Sequence, residues 1–350
     1  MCTNLNDTGF SFRGRFMGAV QLTGWVELDG KRLALPEIEK FLQTSPESIS
    51  RFGGEFFLSW DGCRARDHFG IIPGNCPKGT VFCEGKERHA IIPRVPELTL
   101  DEAIVAAVKL RSDEGVTALS GGVDSALVAA LAGRTCVAVG VEGSHDLTRA
   151  RLVSSALGLE CALVVIDPRE IEAILPLVLT AIPRQDPVST GIALTQYFIA
   201  RWAGEHGHTR ILTGQGADEL FGGYSRYLDS TDLAADLARD FAGLELQGQR
   251  DQAIAALHGT YLSMPYLDLR VVRAARAIPS GEKVVGTMRK VPLRKIAERY
   301  IPEEFAMYEK KAMQYGSGVA KELQRLARHN GYKTSVQGYI DKIIRVEHGQ

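Results

Sequence analysis

Two short glycine-rich strings hold most of the side chains able to do chemistry. The first is Ser120-Gly121-Gly122-Val123-Asp124-Ser125. Paired glycines let main-chain N–H groups approach an anion closely, and Ser120 and Ser125 add hydroxyl donors. A carboxylate is a poor neighbour for phosphate unless a hard cation such as Mg²⁺ lies between them, which gives Asp124 a reason to be there. The spacing is neither the lysine-bearing phosphate loop nor the dinucleotide fingerprint G-x-G-x-x-G. A bare Gly-Gly would read as an ordinary strand-to-helix turn with a serine or aspartate cap. The full string, directly after a buried strand, reads as a cradle for phosphate or pyrophosphate. The second string runs Thr213-Gly214-Gln215-Gly216-Ala217-Asp218-Glu219-Leu220-Phe221-Gly222-Gly223-Tyr224. A lone Asp-Glu pair would be a solvated helix start, which leaves the surrounding glycines unexplained. Asp218 can share a metal with Asp124 if the two turns face each other.

Both strings follow short apolar runs, 115–119 and 210–213, and the first opens a helix over 123–132. Further apolar runs at 136–141 and 162–166 alternate with helical patterns at 100–110, 147–157 and 194–206. Continuous apolar strands alternating with helices predict a parallel sheet covered on both faces, with ligands at the carboxyl ends of its strands. From Asp229 onward no strand is expected, and 231–258, 268–277, 291–300 and 319–329 read as helices. Before residue 95 the chain is β-rich. Strands are expected over 16–27 and 54–60, a proline-opened helix over 36–42, and a linker at 91–98.

The chain has 350 residues, enough for two domains, and 41 Lys+Arg against 42 Asp+Glu. That balance speaks against a broadly basic nucleic-acid binder and against an acidic disordered chain. No apolar run reaches the ~18 residues of a membrane span, and no leader pattern opens the sequence. The expectation is therefore a cytoplasmic protein that engages neither nucleic acid nor membrane. Its six cysteines form no C-x-x-C pair and are expected as reduced thiols.

With these residues in place a resemblance becomes specific. S-G-G-V-D-S followed about ninety residues later by G-Q-G-A-D-E-L-F-G-G-Y resembles the synthetase domain of the asparagine synthetase family, whose first loop is the PP-loop of ATP pyrophosphatases. Met264-Pro265-Tyr266-Leu267-Asp268 is similar to the family's V-P-F-L-D, with Arg250 ahead of it. Lys290 to Arg294 is similar to K-x-x-L-R, and Glu309 to Gly318 to the R-x-K tail. The resemblance covers about residues 100–320. It implies an α/β fold with a doubly wound parallel sheet (adenine nucleotide alpha-hydrolase-like) and a helical C-terminal part, within a domain over 99–350.

The family begins with an Ntn-type glutaminase domain whose nucleophile is an N-terminal cysteine. This chain opens Met1-Cys2, and Arg66-Asp67-His68-Phe69-Gly70-Ile71-Ile72-Pro73 resembles a segment near the end of that domain. The departures are large. No R-G-P-D loop is present, Lys31 stands where the family has Glu, and the region has about half the usual length. Residues 1–95 are thus expected to be a small, reduced glutaminase-like domain kept for packing. An active Cys2 is the minority alternative.

The resemblance implies ATP and Mg²⁺. Leu119, Ser120, Gly121, Gly122, Val123, Asp124, Ser125, Gly214 and Gly216 would hold the nucleotide, with Val141 against the adenine. Asp124 and Asp218 would hold the metal, and Lys311 and Lys290 would offset phosphate charge. A solvated surface cation is an equal alternative for Lys290. Gln215 stands where asparagine synthetases often carry Glu and β-lactam formers carry Tyr, and an amide is no general base. Tyr261 and Ser263 replace the Glu and Arg ahead of the V-P-F-L-D segment. The implied reaction is adenylation of a carboxylate such as aspartate, then attack by an amine. Expected partners are that acid, ammonia or glutamine, a separate glutaminase or ammonia source, and a second copy of the chain in a homodimer. Two alternatives stay open: another carboxylate and amine pair, or a silent nucleotide-binding homologue.

Overall fold

The computed structural model describes residues 19–309 and 312–347. The chain divides between Val95 and Pro96 into two compact units.

In the first unit six strands form one antiparallel sheet. They are β1 (Gln21–Leu28), β2 (Lys31–Leu33), β3 (Gly53–Trp60), β4 (Cys63–Arg66), β5 (Thr80–Cys83) and β6 (Lys86–Ala90), in the order β2-β1-β3-β4-β5-β6. Helix α1 (Leu35–Thr44) buries Ile38 and Leu42 in a core with Val26, Phe52, Phe56 and Leu58. Alternating buried positions along β3 give that sheet its dry face. The Arg66–Pro73 segment ties itself down. Arg66 donates to the carbonyls of Ile72 (2.7 Å) and Gly70 (2.6 Å), while Asp67 accepts from the N–H groups of Phe56, Ile71 and Ile72. Burial pushes the Asp67 carboxyl up to about 6 despite those donors. Here the expectation of reduced thiols is corrected. Cys63 and Cys83 face each other across the β4–β5 ladder and are joined by a disulfide. Strand register brought their Cβ atoms together, which sequence spacing alone does not reveal.

In the second unit α2 (Leu100–Lys109) leads into alternating strands and helices: β7 (Val116–Ala118), α3 (Val123–Ala132), β8 (Cys136–Val141), α4 (His145–Leu157), β9 (Cys161–Ile166), α5 (Pro168–Ala181), α6 (Pro187–Glu205) and β10 (Arg210–Leu212). Then come α7 (Ala217–Phe221), α8 (Leu233–Ala242), α9 (Leu244–Ala256) and β11 (Tyr261–Ser263). The remainder is helical: α10 (Leu269–Ala277), α11 (Ser280–Lys283), α12 (Val291–Ala297), α13 (Glu303–Ala306), α14 (Met313–Gly316), α15 (Val319–His329) and α16 (Val336–Glu347). The sheet is parallel throughout, in the order β11-β10-β7-β8-β9. β11 corrects the expectation that strands stop at Asp229. It pairs with β10 and buries Leu262 and Ser263, but three residues are too few to give a pattern.

The topology decides where a ligand can bind. From β7 the chain winds outward through β8 to β9, then returns to place β10 on the other side of β7. The connections diverge between β7 and β10, and a crevice opens there at the carboxyl ends of the strands. Both glycine strings follow those two strands.

Candidate functional site

The two turns touch. A Cβ added to Gly214 would lie 2.8 Å from the Asp124 Cβ and 3.0 Å from the Ser125 amide nitrogen. Glycine at 214 is what permits that approach. Within the first turn, Leu119 is buried and its N–H donates to the Val137 carbonyl, anchoring the loop to β8. Gly121 takes φ +73°, a left-handed conformation that turns the chain into α3, which Gly122 caps. The Ser125 hydroxyl accepts from the Ser120 N–H at 3.1 Å and lies 2.9 Å from the Ser120 hydroxyl. The loop is thus shaped by its own serines, and Val123 buries the first position of α3.

Asp124 and Asp218 converge on one cation. Lys290 Nζ lies 2.7 Å from Asp124 Oδ2 and 2.6 Å from Asp218 Oδ1. Burial alone would push the Lys290 ammonium down, but the two carboxylates outweigh it and hold it above the ordinary lysine value. Lys290 is therefore no solvated surface cation. Its backbone sits at φ +58°, left-handed, at the head of α12. Gly223 makes room for the trio, since a Cβ there would lie 1.7 Å from Asp218 Oδ1 and 2.1 Å from Lys290 Cε. Arg289 holds the Gly223 carbonyl at 2.6 Å. The ammonium stands where a divalent cation between the same carboxylates would stand, and two carboxylates suit Mg²⁺, which keeps waters and takes phosphate oxygens. Among the described residues no group of three or more His, Cys, Asp or Glu forms a closed cage.

The second turn carries further contacts. Gly216 takes φ +88° against Leu267. Tyr266, fully buried, donates its hydroxyl to the Asp124 carbonyl at 3.1 Å, linking the Met264–Asp268 segment to the first turn. Gln215 donates from Nε2 to Asp251 Oδ2 at 2.5 Å and accepts from the Thr213 hydroxyl at 3.3 Å. Asp251, on α9, is buried and held by Arg250 at 2.7 Å. Nothing local in the sequence marks Asp251, because it meets Gln215 only through the fold. Tyr261 lies at the opposite end of its strand, accepting from Arg210 at 2.6 Å. Val141, ending β8, donates its N–H to the Ser317 carbonyl at 2.9 Å and packs on Gly318. Cys2 and Lys311 lie outside the described residues.

The family model described as asparagine synthase matches residues 99–252 and 238–344. A Methanocaldococcus jannaschii protein provisionally named as a glutamine-hydrolysing asparagine synthetase is 32% identical over 270 residues, covering 65% of this chain and 50% of its own. The carboxyethyl-arginine beta-lactam-synthase of Streptomyces clavuligerus is 30% identical over 237 residues, covering 66% and 46%. Among solved structures, a glutamine-dependent NAD+ synthetase from Acinetobacter baumannii aligns over 84% of this chain and 53% of that one at 14% identity and a TM-score of 0.32, a likeness too slight to carry weight. The chain spans about half the length of the curated relatives it matches. With the family model running through most of the second unit, across both glycine turns and the Lys290 segment, the chain belongs to the asparagine synthase family.

Proposed function

We propose that the chain is a ligase that activates a carboxylic acid with ATP and joins it to an amine. The observation that carries this reading is the meeting of the two glycine turns, with Asp124 and Asp218 aimed at one cation-sized point. The Ser120–Ser125 turn would receive the pyrophosphate moiety on main-chain N–H groups and the head of α3. Asp124 and Asp218 would hold Mg²⁺, which supplies charge neutralisation between phosphate oxygens. Lys290, displaced from the carboxylates, would turn its ammonium to the phosphates. Lys311, from the tail segment, is proposed to act beside it.

In the first step a carboxylate oxygen attacks the α-phosphorus. The bond to the bridging oxygen breaks and pyrophosphate leaves with the electron pair. In the second, the amine nitrogen attacks the acyl carbon, AMP leaves, and the nitrogen loses a proton. The chain's contribution to the first step is positioning and charge compensation. Aspartate with ammonia or glutamine-derived nitrogen is the leading pair. A second reading, with another acid or amine, is favoured by Gln215, whose amide faces Asp251 and cannot take a proton from nitrogen. Residues 1–95 are proposed as a reduced glutaminase-like domain, with nitrogen arriving as free ammonia or from a separate glutaminase.

The test is pyrophosphate and AMP release from MgATP with a panel of carboxylic acids and ammonium, aspartate included. Release with aspartate and asparagine as product supports the leading pair. Release with another acid alone moves the chain to the second reading. Nucleotide binding with no release for any acid refutes the ligase.

A further inference from the structure

The loop at Gly121 rests on a residue that the sequence motifs do not include. A Cβ on Gly121 would lie 2.4 Å from the Arg149 Cβ and 3.1 Å from the Ala150 nitrogen, so the first turn sits against the second turn of α4. The Arg149 guanidinium carbon lies 3.7 Å from the centre of the Tyr308 ring and 5.2 Å from that of Phe305. Tyr308 is fixed in turn by His145, whose Nε2 bonds the phenol and whose ring stacks on it at 5.8 Å. Stacking sets the plane of the guanidinium while leaving its N–H edges directed in that plane.

One of those edges is unused. Nε and Nη2 of Arg149 are both buried without a hydrogen-bond partner, and among the described residues no other guanidinium leaves two nitrogens in that state. Arg149 also makes no ion pair among them. Nε–H and Nη2–H point the same way and form the fork that grips two oxygens of a phosphate or carboxylate. A buried donor left unmade is costly, and Arg149 meets the anion-shaped turn through its Cβ, so its idle fork calls for an occupant. The Ser144 hydroxyl, at the head of α4, is likewise buried and without a partner.

We propose that Arg149 is a phosphate-binding residue of this site, donating its Nε–Nη2 edge to the phosphoryl oxygens of the nucleotide seated on the Gly121 turn. The proposal rests on the nucleotide reading above and adds to it a residue from α4. The packing of the Arg149 Cβ against Gly121 is what points to phosphate as the occupant of the fork.

The test is calorimetric titration of the full chain and of R149Q and R149K with MgATP, inorganic pyrophosphate and adenosine, with melting curves to confirm folding. We expect R149Q to bind MgATP and pyrophosphate at least about tenfold more weakly, a loss typical of a charged hydrogen-bonded contact. R149K, which keeps the charge but not the fork, should recover only part of that. Adenosine affinity should stay within about twofold, which a general collapse of the loop would not permit. Unchanged pyrophosphate affinity in folded R149Q overturns the proposal while leaving the site intact. So does a defect confined to the KM of the acid. If the wild-type chain binds neither MgATP nor pyrophosphate, the nucleotide reading fails and the proposal with it.

Discussion

The ammonium of Lys290 lies 2.7 Å from Oδ2 of Asp124, across 166 positions of sequence, and closes the crevice between the two turns. A lysine in that position competes with any divalent cation for the same oxygens. Removing it should therefore expose a cation site. K290A is expected to bind Mn²⁺ more tightly than wild type without nucleotide, by electron paramagnetic resonance titration, and to lose at least about a hundredfold in pyrophosphate release. Equal Mn²⁺ affinity in the two proteins would show that the carboxylates do not form a cation site.

Gln215 and Asp251 are a matched pair. Glutamate at 215 would bring a second carboxylate to within 2.5 Å of Asp251 Oδ2. Two such groups cannot both ionise there, so the new carboxyl would titrate high in the folded state and at its ordinary value when unfolded. The sign follows: Q215E should be close to wild type near pH 4 and lose stability as pH rises, by about 1–3 kcal/mol at pH 8. Adding D251N should restore most of that loss. Denaturant unfolding at both pH values measures it, and a Q215E chain as stable as wild type at pH 8 contradicts the pairing.

Gly223 is required by side chains, not by its backbone. A methyl at 223 overlaps Asp218 Oδ1 and Lys290 Cε. G223A should separate Lys290 from Asp218 and reduce pyrophosphate release by more than about tenfold, while shifting the melting temperature only slightly because Asp218 is partly exposed. Activity preserved in G223A would mean that the trio rearranges freely.

The Asp67 carboxyl gives the first unit an acid-side stability term. It titrates at about 6 when folded, against 3.8 for the ordinary group. The folded chain thus holds the proton over that interval and the unfolded chain does not. The contribution is complete below 3.8 and is lost as pH rises through 6. Relative to D67N, wild-type melting temperature should rise as pH falls from about 7.5 to 5. A carboxyl resonance for Asp67 that titrates below 4 would refute this.

What could be read from sequence was what local chemistry dictates. Continuous apolar strands such as Cys136–Val141 and glycines placed directly after Leu119 and Thr213 carry their fold on their face. Helix α5 keeps helical spacing in its buried Ile171, Leu175, Val178 and Leu179, and escaped because Pro176 inside it reads as a breaker. Strand β11 escaped because three residues have no period. Asp251 and Arg149 escaped for a different reason. Each is an ordinary helix residue until the fold sets it against Gln215 or Gly121. The thiols of Cys63 and Cys83 likewise became a pair only through strand register.

The left-handed backbone beneath Lys290 has a practical consequence for anyone engineering this chain. A lysine at φ +58° carries roughly 1 kcal/mol of steric cost that glycine would not. Glycine at 290 would relieve that cost but leave Asp124 and Asp218 facing each other without their cation, a larger loss, so selection for heat resistance alone would hold a positive charge there in spite of the strained backbone.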